Sequence, residues 1–155
     1  MQLHELVVTS TAVAAGRART AKIERLAALL ARLAPDEVEV AIGLLAGEPR
    51  QGRLGLGPAA IVEARDEAPA AQATLSLAEV DRAFDDIATM SGPGSGRGRA
   101  SRWRGLLARA TREEQDLLAR VALGELRQGA LAGMLAEAGA PAAGVPAGAV
   151  PPAVM

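Results

Sequence analysis

Two eight-residue segments of the chain are nearly identical: residues 47–54 read GEPRQGRL and residues 124–131 read GELRQGAL. Six of the eight positions match, and the segments lie 77 residues apart (124 − 47 = 77). The same offset places the tetrapeptide LLAR at residues 29–32 on a second LLAR, without a gap. Self-similarity over such a distance predicts an internal duplication. We therefore expect two pseudo-symmetric helical halves, about residues 1–64 and 76–140.

Helical periodicity dominates the rest of the chain. The clearest apolar stripe consists of Ile23, Leu26, Leu30 and Leu33, and it ends at Pro35. Two capping boxes predict helix starts, namely Ser76 with Glu79 and Thr111 with Glu114. No alternating pattern predicts a strand, so we expect a compact all-α, multi-helix domain over residues 1–140. Residues 141–155 are rich in Ala, Pro and Gly, which predicts a flexible tail.

Composition excludes several classes of function. Phe84 and Trp103 are the only aromatic residues, which disfavours a single-strand binder that stacks bases on aromatic rings. The chain has no cysteine, so it can form neither a disulfide nor a thiolate metal site. His4 is the only histidine, and no metal-binding cluster accompanies it in the sequence. We read no signal peptide and no apolar run of membrane length, and we expect a cytoplasmic location.

Charge is balanced overall, at −1, but it is unevenly distributed. Residues 63–86 are mostly acidic, whereas an acid-free stretch follows that carries five arginines: Arg97, Arg99, Arg102, Arg104 and Arg109. The stretch begins with SGPGSGRGR at residues 91–99, which predicts a flexible loop flanked by arginine. Such a loop suits contact with a nucleic-acid backbone, because the planar guanidinium matches phosphate well.

The residue types of the duplicated segment suit the binding of a phosphate anion. A glycine after a helix permits the left-handed backbone of a C-cap. A second glycine five residues later, Gly52 or Gly129, leaves bare backbone near the start of the next helix, where N–H groups can bind phosphate. Arg50 and Arg127 can add a charge-assisted hydrogen bond to the same anion. Two such corners suit the two strands of a duplex, with contacts that ignore base sequence.

A structural interpretation of the same residues is equally consistent with the pattern. The glycines would then only turn the chain, and Arg50 and Arg127 would pair with the neighbouring Glu48 and Glu125.

A family resemblance arises at the second corner. Residues 91–138, SGPGSGRGRASRWRGLLARATREEQDLLARVALGELRQGALAGMLAEA, resemble the N-terminal DNA-binding domain of ATP-dependent DNA ligases, closest to the actinobacterial ligase B type. The likeness includes LLAGEPRQGRLGLGPAAI at residues 44–61 and extends over nearly all of the chain up to about residue 140.

The resemblance implies an all-helical, pseudo-symmetric domain that binds nicked duplex DNA from the minor-groove side, in DNA repair and replication. It implies backbone contacts from Arg127 and Gly129, and, in the first half, from Arg50, Gly52, Arg53, Gly55 and Gly57. In a full-length ligase the partners would be the adenylation and OB-fold domains, and the cofactors ATP and Mg²⁺. The only lysine, Lys22, is followed by IER and not by the K-x-D-G pattern of the family's nucleotidyl-transfer lysine. This chain is therefore expected to hold no cofactor and to be non-catalytic by itself.

The rival hypothesis is a helical protein-interaction scaffold without DNA binding. The near-zero net charge and the scarcity of aromatics favour it. Salt dependence separates the two hypotheses, because phosphate contacts weaken steeply as salt rises.

Overall fold

A computed structural model describes residues 1–125 and 129–139. In this part of the chain there are eight α-helices: α1 Leu3–Ala15, α2 Arg19–Arg32, α3 Val38–Ala46, α4 Pro58–Glu63, α5 Leu77–Thr89, α6 Ser95–Ala108, α7 Arg112–Leu123 and α8 Gly129–Glu137. A 3₁₀ turn, Ala64–Asp66, extends α4. The described residues contain no strand, and only one isolated bridge, between Gln2 and Ser76. The predicted all-α fold class is confirmed; the predicted tail, residues 141–155, lies outside the described residues.

Both predicted capping boxes are present. At the start of α5 the Ser76 hydroxyl accepts from the Glu79 N–H at 3.1 Å, and the Glu79 carboxylate accepts from the Ser76 N–H at 3.0 Å. Thr111 and Glu114 exchange the same pair of bonds at the start of α7. Each box satisfies N–H groups that a helix cannot satisfy internally, and this explains why these two helices begin where the sequence predicted.

The core is aliphatic around a single aromatic pair. Trp103 of α6 and Phe84 of α5 are almost completely buried, and their ring centroids lie 6.5 Å apart. Fully buried leucines from the other half, among them Leu3, Leu6 and Leu26, belong to the same cluster. One continuous core therefore joins the two halves of the chain.

The helix pairings are similar in the two halves. α1 packs on α2 and α7, whereas α5 packs on α6 and α3; α4 contacts α6 and α7, whereas α8 contacts α2 and α3. When α1–α4 are matched in order with α5–α8, each of these contacts made by a helix of the first half has a counterpart made by the corresponding helix of the second half. They support the predicted duplication, and the pseudo-twofold relation itself stays a prediction.

The match between the halves is local, and it ends after the helix caps. Gly47 (φ 77°) caps α3 and Gly124 (φ 76°) caps α7, and the residue after each glycine donates to the carbonyl five positions back, at 2.8 and 2.9 Å. α8 then begins five residues after Gly124 (129 − 124), but α4 begins eleven residues after Gly47 (58 − 47). The gap-free sequence match of residues 47–54 with 124–131 is therefore not accompanied by equal spacing between the cap and the next helix. The first half inserts an irregular segment, residues 48–57, which we call the corner loop.

The predicted flexible loop at residues 91–99 is only partly a loop. Gly94 (φ 79°) turns the chain, and α6 begins immediately afterwards at Ser95. Gly98 lies inside this helix, where a Cβ would approach the Met90 sulfur to 3.1 Å. This glycine therefore belongs to a regular helix and not to a loop.

Most of the basic stretch is paired with the acidic stretch. Arg102 binds Asp86 at 3.1 Å, Arg104 binds Asp66 at 2.9 Å, and Arg109 binds Glu79. These ion pairs fasten α6 and its C-terminal turn to α5 and to the segment after α4. The charge asymmetry read from the sequence is therefore largely neutralised within the fold.

The ion pair of Glu79 predicts a pH-dependent contribution to stability. The hydrogen bond from Arg109, followed by that from the Ser76 backbone, lowers the pKa of Glu79. A lowered pKa means that the stabilisation is present above the unfolded value, about 4.3, and is lost as the pH falls through the folded value. We expect Glu79→Gln, which keeps the capping oxygen, to reduce the free energy of unfolding by roughly 0.2–1 kcal/mol at pH 7. Urea unfolding at pH 7 and at an acidic pH checks this, since the difference should shrink as the pH falls towards the folded pKa of Glu79. An equal loss at both pH values would contradict the ion-pair explanation, and Glu113→Gln, at an exposed position of α7, is the control.

Candidate nucleic-acid interface

The corner loop and the glycine-capped end of α7 border one groove. A cavity of about 400 Å³ lies between the corner loop and the end of α7, lined by Pro49, residues 52–56 and residues 121–124. The groove thus brings the predicted Gly52, Arg53 and Gly55 together with Gly124, the cap glycine of the second corner. Gly57 is exposed and forms the N-cap of α4 at the end of the same loop.

Backbone along the corner loop is unusually accessible. Gly52 (φ 73°) and Gly55 (φ 77°) have left-handed backbone, and a Cβ at Gly52 or Gly57 would meet no atom within 4 Å. Within the described chain, none of the backbone N–H groups of residues 53–57 donates to a protein acceptor. The loop therefore has a short run of N–H groups beside the groove that are unpaired among the described residues.

Arg50 does not point to open solvent. Its guanidinium donates to both oxygens of Asp81, at 3.2 and 3.0 Å, and to Asp85 at 2.7 Å. The Gln51 amide donates to the same two carboxylates at 2.6 and 2.9 Å. The hydrogen bond with Asp81 raises the pKa of Arg50 further above its ordinary value. The partner proposed by the structural interpretation was Glu48, and the structure places two aspartates of α5 there instead.

Arg99 is also engaged within the protein. Its Nη2 donates to the Met90 carbonyl at 2.6 Å, and its Nε is buried without a partner among the described residues. The same guanidinium lies against the bare face of Gly55, where a Cβ would approach Nε to 3.0 Å. Arg99 therefore touches the corner loop from the first turns of α6.

Arg53 and Arg97 are the predicted cations that remain exposed. Neither forms an ion pair or a side-chain hydrogen bond with the rest of the described chain. Arg97 lies in the first turn of α6, which has no side-chain cap. Arg127 lies outside the described residues, and Gly129 is the first residue of α8.

The two left-handed glycines provide a matched pair of substitutions. Alanine in this backbone region costs about 1–2 kcal/mol. We expect Gly52→Ala to reduce the free energy of unfolding by about that amount, since its methyl group would meet nothing. Gly55→Ala should cost more, because its methyl group would displace the Arg99 guanidinium. Urea unfolding of both variants measures the difference, and equal losses would show that the Arg99 contact contributes nothing.

Sequence reasoning missed Asp81 and Asp85. Their spacing of four on α5 indicated that the two carboxylates share a helix face. Nothing in the sequence indicated that the arginine bound there would be Arg50, thirty-one residues away (81 − 50).

The described residues offer no sign of metal chemistry or of membrane insertion. No group of three or more metal-ligating side chains forms a cluster among them. No helix in this part of the chain has the length and apolar character that a membrane crossing requires.

The helices and the groove define a class of protein, an all-α domain with one surface lined by backbone at glycine positions. Beside this surface lie arginines that are unpaired among the described residues. A model of the family described as DNA ligase N terminus matches residues 50–140. The chain belongs to this family, as the N-terminal domain of an ATP-dependent DNA ligase, and the predicted resemblance is confirmed.

Curated relatives agree with this assignment. A probable DNA ligase of Anaeromyxobacter sp. (strain Fw109-5) is 55% identical over all of this chain and 30% of its own length. A probable DNA ligase of Sorangium cellulosum is 47% identical over all of this chain and 29% of its own length. One from Pseudarthrobacter chlorophenolicus is 49% identical over 92% of this chain and 28% of its own length. The chain thus spans about three tenths of the length of these relatives.

Proposed function

We propose that this chain binds duplex DNA without regard to sequence and holds nicked DNA for a ligase. The observation that carries the proposal is the groove, where Gly52, Arg53 and Gly55 of the corner loop lie opposite Gly124. Membership in the ligase family supplies the substrate class, since the relatives are described as probable DNA ligases.

The chemistry of the groove suits sugar–phosphate backbone better than bases. Free N–H groups on a glycine-lined loop accept close approach of an anion, because no Cβ stands in front of them. The uncapped first turn of α6 adds N–H groups and the positive end of the helix dipole beside Arg97. Contacts of this kind fix a duplex in place but carry no information about its base sequence.

The proposed interface comprises the corner loop, the start of α6 and the second corner. Gly52, Arg53, Gly55, Gly57 and Arg97 are proposed to approach DNA directly. Arg127 and Gly129 are proposed to do so from the second corner, on the strength of the family resemblance. Arg50 and Arg99 belong to the same surface, but their guanidinium groups are bonded within the protein.

The remaining parts of the reaction are assigned to the full-length protein. ATP and Mg²⁺ would act with the adenylation and OB-fold domains, in the cytoplasm and on nucleoid DNA, during repair and replication. The contribution of this chain is to bind and orient the duplex.

Fluorescence anisotropy with labelled duplexes tests the proposal. We expect equal affinity for two unrelated sequences, and a log–log plot of affinity against salt with a slope of about −1.8 to −3.6 if two to four phosphates are contacted. Comparing nicked with intact duplex of one sequence measures any preference for the nick. Absence of duplex binding even at low salt would reject the proposal and leave the scaffold hypothesis.

A further inference from the structure

Two arginines of the proposed interface attach the corner loop to the helices beside it. Arg50 lies near the start of the loop and binds α5, whereas Arg99 reaches from α6 to Gly55 near its end. Residues 52 and 53 lie between these two attachments and are exposed.

The attachment at Arg50 is not suited to receive phosphate. One guanidinium faces two carboxylates, Asp81 and Asp85, so the cluster carries a net charge of −1 (1 − 2). A phosphate placed there would meet net repulsion at short range. The donors of Gln51 are directed to the same carboxylates, which fixes the backbone of two successive loop residues on α5.

The attachment at Arg99 is likewise not suited to receive phosphate. Its Nη2 is already bonded to the Met90 carbonyl at 2.6 Å, and its Nε is buried. The absence of a Cβ at Gly55 lets the loop backbone lie close to the guanidinium, since a Cβ would approach Nε to 3.0 Å. The side chain therefore packs against the loop and bonds to the backbone of the protein.

We propose that Arg50 and Arg99 are positioning residues, and that Asp81 and Asp85 are part of the same device. They fix the corner loop so that Arg53 and the free N–H groups face the duplex in one geometry. The inference rests on the proposed function, since it explains how that surface is organised before DNA arrives. Preorganisation of this kind raises affinity because the loop does not have to be ordered on binding.

The decisive variant removes negative charge. Simple electrostatics predicts that Asp81→Ala with Asp85→Ala binds DNA more tightly, since two like charges are lost. The positioning role predicts the opposite, with affinity roughly twofold to tenfold weaker. The ¹⁵N relaxation order parameters of residues 52–57, measured on the full 155-residue chain without DNA, should fall at the same time.

A matched control is available at the start of α3. Asp36, just before the helix, and Glu39, in its first turn, are exposed; Asp36 borders the same surface pocket as Asp81 and Asp85, and neither residue bonds to Arg50. Asp36→Ala with Glu39→Ala removes the same charge and should leave the loop order parameters unchanged and DNA affinity equal or higher. A thermal melt of each variant verifies that it is folded.

The outcomes separate this inference from the proposed function. Affinity of the Asp81, Asp85 variant equal to or above that of the control would overturn the positioning role. If the parent chain binds no duplex at any salt, the proposed function fails, and the order parameters alone then decide whether the loop is fixed. Unchanged order parameters in the variant would overturn the inference in that case as well.

Discussion

Replacing Arg53 and Arg97 together by alanine is expected to weaken duplex binding roughly tenfold to a hundredfold near 0.1 M salt. Both side chains are exposed and unpaired within the described chain, so each is free to bind a phosphate. A charge-assisted hydrogen bond is stronger than a neutral one, and two such losses combine to a change of this size. Each lost phosphate contact should also flatten the salt dependence by about 0.9, or about 1.8 for the pair.

The control for this prediction must remove the same charge elsewhere. Arg25 and Arg32 are exposed on α2, and Arg32 forms only an exposed ion pair with Glu5. Replacing both by alanine should lower affinity slightly through the overall field and leave the salt slope nearly unchanged. Equal slopes in the two double variants would show that Arg53 and Arg97 do not contact phosphate. Anisotropy titrations over the same salt series measure both.

Sequence predicted the helices well because their signals are local. Each capping box is four residues long, and each cap glycine acts on the turn before it. Ser76, Thr111, Gly47 and Gly124 therefore marked helix ends that the structure confirms. The matching segments after the caps were misleading, since residues 48–54 and 125–131 share letters but begin a long loop in one half and a short connection in the other.

The pairing of charged residues could not be predicted from local sequence signals in the same way. The sequence shows that acids and arginines are segregated, but long-range packing decides which of them neutralise one another. The bond between Arg104 and Asp66 spans 38 residues, and that between Arg50 and Asp81 spans 31. Of the first-half arginines predicted to touch DNA, only Arg53 remains unpaired among the described residues. The arginine-rich stretch that suggested a basic surface is mostly engaged in ion pairs at the surface of the protein.

The glycines illustrate what can be predicted and what cannot. A Gly-rich segment reports a requirement for small size or for left-handed backbone, but not which of the two. Gly52 and Gly55 adopt the left-handed region, whereas Gly98 lies in helical backbone close to the Met90 side chain. The backbone conformation and the neighbours of each position, and not the sequence, distinguish these cases.

Trp103→Ala is expected to have the largest effect on stability of any single change considered. Trp103 is completely buried beside Phe84, in the middle of an otherwise aliphatic core. Truncating a buried tryptophan to alanine costs about 3–5 kcal/mol, a large part of the 5–15 kcal/mol that stabilises a typical domain. Urea unfolding followed by circular dichroism measures the loss, since the variant has no tryptophan fluorescence.

Trp103→Phe shows whether lost volume or the lost indole N–H accounts for the effect. The indole N–H has no acceptor among the described residues, so removing it sacrifices no hydrogen bond and relieves a buried unpaired donor. Phenylalanine restores most of the apolar volume, and its loss should be on the order of 1–2 kcal/mol. Arg97 and Arg99 lie on α6 with Trp103. Since the Phe variant should keep this helix folded and in place, it should also keep the DNA affinity of the parent chain. If both variants unfold equally easily, the indole makes a specific contact, and the core does not depend mainly on the volume at this position.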